Sequence, residues 1–168
     1  MALTHKLIAS STAGSGGVAN IEFTSIPSTY TDLMIMCSLR SNIAANADDI
    51  KIEFNSSSSN FNWKNIYGTG SSVLSQNNTN NQVGTQPASS FTASSFGNAF
   101  VYITNYASSN YKSISADSVA ENNATRGDQA LYATLWSDTA AITSIKLLPS
   151  SGLLIEYSTA YLYGIKNS

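Results

Sequence analysis

Apolar and polar residues alternate with a period of two in one short run after another, and few folds accommodate that pattern. Leu33, Ile35, Cys37 and Leu39 alternate with Met34, Met36, Ser38 and Arg40. Ile50, Ile52 and Phe54 alternate with Asp49, Lys51 and Glu53, and Leu3, His5 and Leu7 alternate with Thr4, Lys6 and Ile8. Ile21 and Phe23 flank Glu22, and further runs cover residues 100–106, 113–119, 130–136, 142–148 and 153–165. Successive side chains of a strand point to opposite faces, so each run reads as a strand with one buried face. No run carries a helical stripe; at most Thr29-Tyr30-Thr31-Asp32 is expected to form one turn before the strand at Leu33. The expected fold is all-β: a single-domain, jelly-roll-like antiparallel β-sandwich over residues 1–168, with eight or more strands.

Turn signals separate the runs. Gly14-Ser15-Gly16-Gly17 reads as a flexible hairpin tip and Ile26-Pro27-Ser28 as a strand-ending turn. The stretches 122–128 and 149–152 read as loops, and Asp48-Asp49 as a capped turn before Ile50. Residues 55–95 differ from the rest. Ser, Asn, Thr, Gln and Gly dominate there, with sparse apolar residues such as Phe61, Trp63 and Tyr67. A structureless loop of that length is uncommon in a compact domain. The segment is therefore expected to hold short strands and long excursions, and to be the surface specialised toward a partner.

Composition limits what such a sandwich can do. Charged residues make up 11% of the chain against roughly 25% in ordinary proteins, and 29 Ser, 17 Asn and 15 Thr take their place. The eight Lys and Arg are scattered and the net charge is −2, so the basic stripe of a nucleic-acid binder is missing. No apolar run approaches the roughly 18 residues of a membrane span, and residues 1–10 lack the apolar core of a signal peptide. A soluble protein made in a reducing cytoplasm is expected.

Catalytic schemes find little material. There is one His and one Cys, too few for a zinc site or for a nucleophile and base oriented by a third group. Cys37 lies among Met34, Ile35, Met36 and Leu39, where a free thiol behaves as a small buried apolar group. Ten carboxylates show no glycosidase motif, and no glycine-rich nucleotide loop is present. Arg126-Gly127-Asp128 reads as turn residues, not as an integrin tripeptide. No enzymatic activity, cofactor or metal is expected. Tyr and Trp are enriched at interaction hot spots, so the aromatic residues are the remaining lead.

Six stretches form a set: residues 21–33, 111–115, 121–125, 135–137, 140–145 and the ending 157–166. They include Ile21-Glu22-Phe23-Thr24-Ser25-Ile26-Pro27, Glu121-Asn122-Asn123-Ala124-Thr125, Leu135-Trp136-Ser137 and Tyr161-Leu162-Tyr163-Gly164-Ile165-Lys166. Together they resemble a group of small virion proteins of tailed bacteriophages that infect aquatic bacteria. The resemblance covers most of the chain outside residues 55–95. It implies a structural protein of the virion with no catalytic residues. It also implies a homotrimer, because both decoration proteins and fibre modules are built around three-fold axes. A capsid decoration (cement) protein bound to the major capsid protein is the expected role. The alternative is a tail-fibre module that meets tail proteins or host surface glycan. The expected contact residues are Leu3, His5 and Leu7 on the first strand, with Phe61, Trp63 and Tyr67 in the polar segment.

Overall fold

The computed structural model describes residues 4–166. Among these, twelve strands form two antiparallel sheets and there is no helix. The larger sheet runs β1 (His5–Thr12), β12 (Thr159–Ile165), β3 (Asp32–Leu39), β8 (Gly97–Ile103), β9 (Lys112–Glu121), β10 (Gly127–Trp136), β5 (Phe61–Gly68), β6 (Val73–Asn78). The smaller runs β2 (Ile21–Phe23), β11 (Ile145–Pro149), β4 (Ala47–Phe54), β7 (Gln82–Pro87). The chain passes repeatedly between the two sheets and pairs its first strand with its last, a jelly-roll-like sandwich.

The alternation in sequence is the alternation in burial. Leu33, Ile35, Val101, Ile103 and Ile114 of the larger sheet and Ile50, Ile52, Ile145 and Leu147 of the smaller are all at most 1% exposed, in one continuous core. Burying such a side chain is worth roughly 1.5–3 kcal/mol. At one end Phe54, Phe61 and Trp136 form an aromatic cluster, with Phe54 edge-on to Trp136 at 5.1 Å and 5.4 Å from Phe61.

Local chemistry sets the turns. Asn55 (φ 53°) and Ser56 (φ 62°) are both left-handed, and Phe54 and Ser57 exchange backbone hydrogen bonds across them. That is the requirement of a primed two-residue turn, and asparagine tolerates it best among non-glycine residues. The Asn55 side chain then holds residues 141–144: its Nδ2 donates to Ala141 O at 2.9 Å, and its Oδ1 accepts from the Thr143 amide at 2.9 Å. Among the described residues two cationic side chains, Arg40 and Lys112, are buried without an ion-pair partner at hydrogen-bond distance. Arg40 donates to the carbonyls of Thr92 and Ser95, each at 2.8 Å, and of Phe91 at 3.0 Å, and so ties down the 89–95 loop. Lys112 donates to Ser108 O at 2.8 Å and Asn110 O at 2.6 Å beneath the Trp136 ring.

Four local expectations need correction. The stretch 14–17 is not a hairpin tip, because β1 pairs with β12 and β2 with β11; it is a crossover between sheets. Gly17 sits there at φ 78°, and a Cβ on it would meet Leu154 O at 2.5 Å, so close packing and not flexibility requires the glycine. Residues 29–31 form turn and bend structure with no helical turn, and Asp32 already belongs to β3. Asp48 and Asp49 lie within β4. Gly127 and Asp128 lie within β10, which shortens the loop before it. The polar segment does contain strands, namely β5, β6 and β7, and it contributes to both sheets.

Candidate functional site

Because the larger sheet has one face on the core, its other face meets solvent, and that outer face is unusually apolar. Register aligns one row across it: Tyr161 pairs with Met36, Met36 with Phe100, Phe100 with Asp117, Asp117 with Leu131, and Leu131 with Ile66. The apolar and aromatic members of the row are 38–55% exposed. Leu7, Tyr163, Met34 and Tyr102 form the row beside it. Charge is sparse on this face, with Asp117 inside the first row and Lys64 beside Ala133.

The face has relief as well as apolar character. Small residues, Ala133 and Ser113 on one side and Ser115 on the other, leave shallow hollows of about 370 Å³, 390 Å³ and 290 Å³ between the large side chains. Tyr102 is held in place at the rim of the face, donating from its hydroxyl to Asp32 Oδ2 at 2.7 Å. That hydrogen bond, with burial second, pushes its phenol up to about 12. At about 4.8 Å between strands and 3.3 Å per residue, eight strands of seven or so residues cover about 900 Å². A standard protein–protein interface takes about 800 Å² from each partner. Aromatic residues and Met concentrated in such a patch, with little charge, is the composition of an interface core.

The residues expected from the sequence to make contacts fall in three places. Leu3 lies outside the described residues. His5 and Leu7 are exposed on β1, with Leu7 48% exposed beside Tyr163 on the outer face. Phe61 and Trp63 are corrections: they are 3% and 4% exposed and point into the core. Phe61 belongs to the aromatic cluster; Trp63 packs edge-on against Tyr132 at 5.4 Å and donates from its indole to Asn80 Oδ1 at 2.7 Å. Neither ring can stack on a partner. Tyr67 is half-buried on the inner side of β5. The structure does not gather these residues into one site, since β1 and β5 lie near opposite edges of the larger sheet.

Met36, Phe100, Leu131 and Ile66 were not singled out from the sequence. Their signal was present: in the runs at 33–40 and 130–136 both phases of the alternation hold large apolar residues, as Met34 and Met36 or Leu131 and Leu135 show. A strand with two apolar phases has two faces that prefer to be covered.

The reactive side chains are placed for structure. Cys37 is buried with Sγ 3.6 Å from Ala99 O, and burial pushes its thiol up to about 12. Arg126 and Asp128 form a two-contact ion pair with each other, at 2.9 Å and 3.2 Å, so the tripeptide presents no free charge pair. Among the described residues no three His, Cys, Asp or Glu side chains gather as a metal site, and no helix is long and apolar enough to cross a membrane. Comparison with protein-family models, with curated proteins and with solved structures found no match for this chain.

Proposed function

We propose that this chain is a non-enzymatic structural protein of a bacteriophage particle, and specifically a capsid decoration protein that cements neighbouring capsomers. The observation that carries the assembly part of the reading is the exposed apolar row of Tyr161, Met36, Phe100, Leu131 and Ile66 across the larger sheet. In this reading the face docks on the major capsid protein, and homotrimers sit at three-fold positions of the capsid. Neither nucleic acid nor a membrane is a partner. Phage origin is supported by the sequence resemblance at 21–33, 111–115, 121–125, 135–137, 140–145 and 157–166. The interior position of the Trp63 ring removes one expected contact from the cement and the tail-fibre readings alike.

Copy number separates the two. Gel densitometry of purified virions, scaled to the major capsid protein, is expected to show hundreds of copies per particle. A few to a few dozen copies would reject cementing in favour of the tail, and absence from the virion would reject both. Light scattering of the free protein is expected to give about 53 kDa, three times the 17.8 kDa chain. A stable monomer in solution, with no trimer on the particle, would reject the trimer.

A further inference from the structure

The eight-stranded sheet is wider than the four-stranded sheet that covers its inner face. The edge strand β7 packs beneath β8, β9 and β10, so the inner side of β5 and β6 runs on past it. A pocket of about 170 Å³ forms at this overhang. At ~30 Å³ per water it has room for about five or six waters, the scale of one sugar ring.

Asn65 of β5 and Tyr132 of β10 line the deep side of the pocket and are each 5% exposed. Gln82 bridges two strands there, donating from Nε2 to the Tyr132 hydroxyl at 2.7 Å and to Asp49 Oδ1 at 2.8 Å. At the rim Gln76 donates to the Tyr67 hydroxyl at 3.4 Å. The Asn65 Oδ1 oxygen has no hydrogen-bond partner although it is buried. A buried amide oxygen left unpaired is costly, and native proteins keep few of them. This one belongs to a side chain that lines the pocket.

The lining chemistry selects the class of ligand. Amides and phenols donate and accept at once, as sugar hydroxyls do. Half-buried Tyr67 adds ring surface for the C–H face of a pyranose. Arg126 is already neutralised by Asp128, so no free cation waits for a phosphate or carboxylate. We infer that this pocket binds one neutral sugar ring, with Asn65 Oδ1 accepting from a ring hydroxyl. The inference goes beyond the assembly role above and does not depend on it, because the pocket lies on the inner side of β5 and β10 and the assembly face on their outer side.

Saturation-transfer NMR on the full chain tests it with the methyl glycosides of glucose, galactose, mannose and N-acetylglucosamine. Transfer to the ring protons of at least one is expected, with a Kd on the order of 1 mM. Asn65→Leu fills the same space without the orphan oxygen. It is expected to weaken binding tenfold or more while the melting temperature holds or rises, an outcome that a purely structural asparagine would not give. Gln76→Ala, at an exposed rim position, is expected to weaken binding several-fold without touching the fold. No transfer to any of the four sugars overturns the inference, as does binding unchanged in Gln76→Ala, the variant that decides should Asn65→Leu fail to fold. A response to calcium chloride with none to the sugars overturns it too.

Discussion

Cys37 shows how much one inward-facing position is constrained. Its thiol sits on the core side of β3 against the Ala99 carbonyl, and burial holds it near 12, above the ordinary 9.0. A thiolate is what reacts, so Ellman's reagent at pH 8 is expected to label Cys37 no faster than the chain unfolds. Rapid labelling of the native protein would contradict the burial. The same shift predicts a pH dependence. The folded chain keeps the Cys37 proton where the unfolded chain releases it, so this contribution is intact below pH 9.0 and is lost as pH rises toward 12. Tyr132, held near 12 chiefly by burial, acts in the same sense from its ordinary 10.0 upward. Lys112 acts in the opposite sense, because burial lowers its value and the fold recovers that cost as pH rises to 10.5. Cys37 and Tyr132 add in one sense, at about 1.4 kcal/mol for each pH unit between their folded and ordinary values. The urea midpoint is expected to be level to about pH 9 and to fall steeply by pH 12, with a shallower fall in Cys37→Ala.

At the scale of elements, the loops here are held by side chains that reach across sheets. Arg40, at the end of β3, binds the carbonyls of Ser89, Phe91, Thr92 and Ser95 in the 89–95 loop and meets no carboxylate. Hydrogen bonds from a charged donor are worth roughly 1.5–3 kcal/mol. Arg40→Met is therefore expected to cost about 2–4 kcal/mol and to speed amide exchange in residues 89–96 first; uniform acceleration would mean that the clamp is not local. None of this was legible in the sequence, where Arg40 reads as one polar position of an alternating run. The inner strands were legible, because a strand between two neighbours and over a core shows its period directly. β6 was not, since all six of its residues are exposed and no face is selected. β5 misleads for a more instructive reason. Its inward positions are Phe61, Trp63, Asn65 and Tyr67, and its outward positions include Lys64 and Ile66. Polar Asn65 points in and apolar Ile66 points out, against the pattern. Local rules of this kind break where a chain does something other than fold, and these two neighbours face the pocket and the exposed apolar row respectively. Its polar neighbourhood made Phe61 and Trp63 look like surface residues, although the period of two already placed them with the core.

For the whole molecule, the unequal widths of the two sheets set its surfaces. The narrow sheet covers only part of the wide one, which leaves the overhang with its pocket, while the far side of the wide sheet is left bare. A stable domain does not need large apolar side chains on that bare face. Leu131 is 52% exposed and Phe100 38%, and neither belongs to the core cluster. Substitutions at such surface positions usually change stability by no more than about 0.5 kcal/mol. The double variant Phe100→Lys, Leu131→Lys is thus expected to fold with an unchanged urea midpoint while losing attachment to particles. It places two cations beside Asp117 and Lys64, where a partner would have to desolvate them. Decoration-free particles mixed with wild type and with the double variant, then sedimented, give the comparison. Attachment of both to the same extent would show that the apolar row is not the docking face. Loss of attachment together with a lowered midpoint would show that these side chains serve the fold instead.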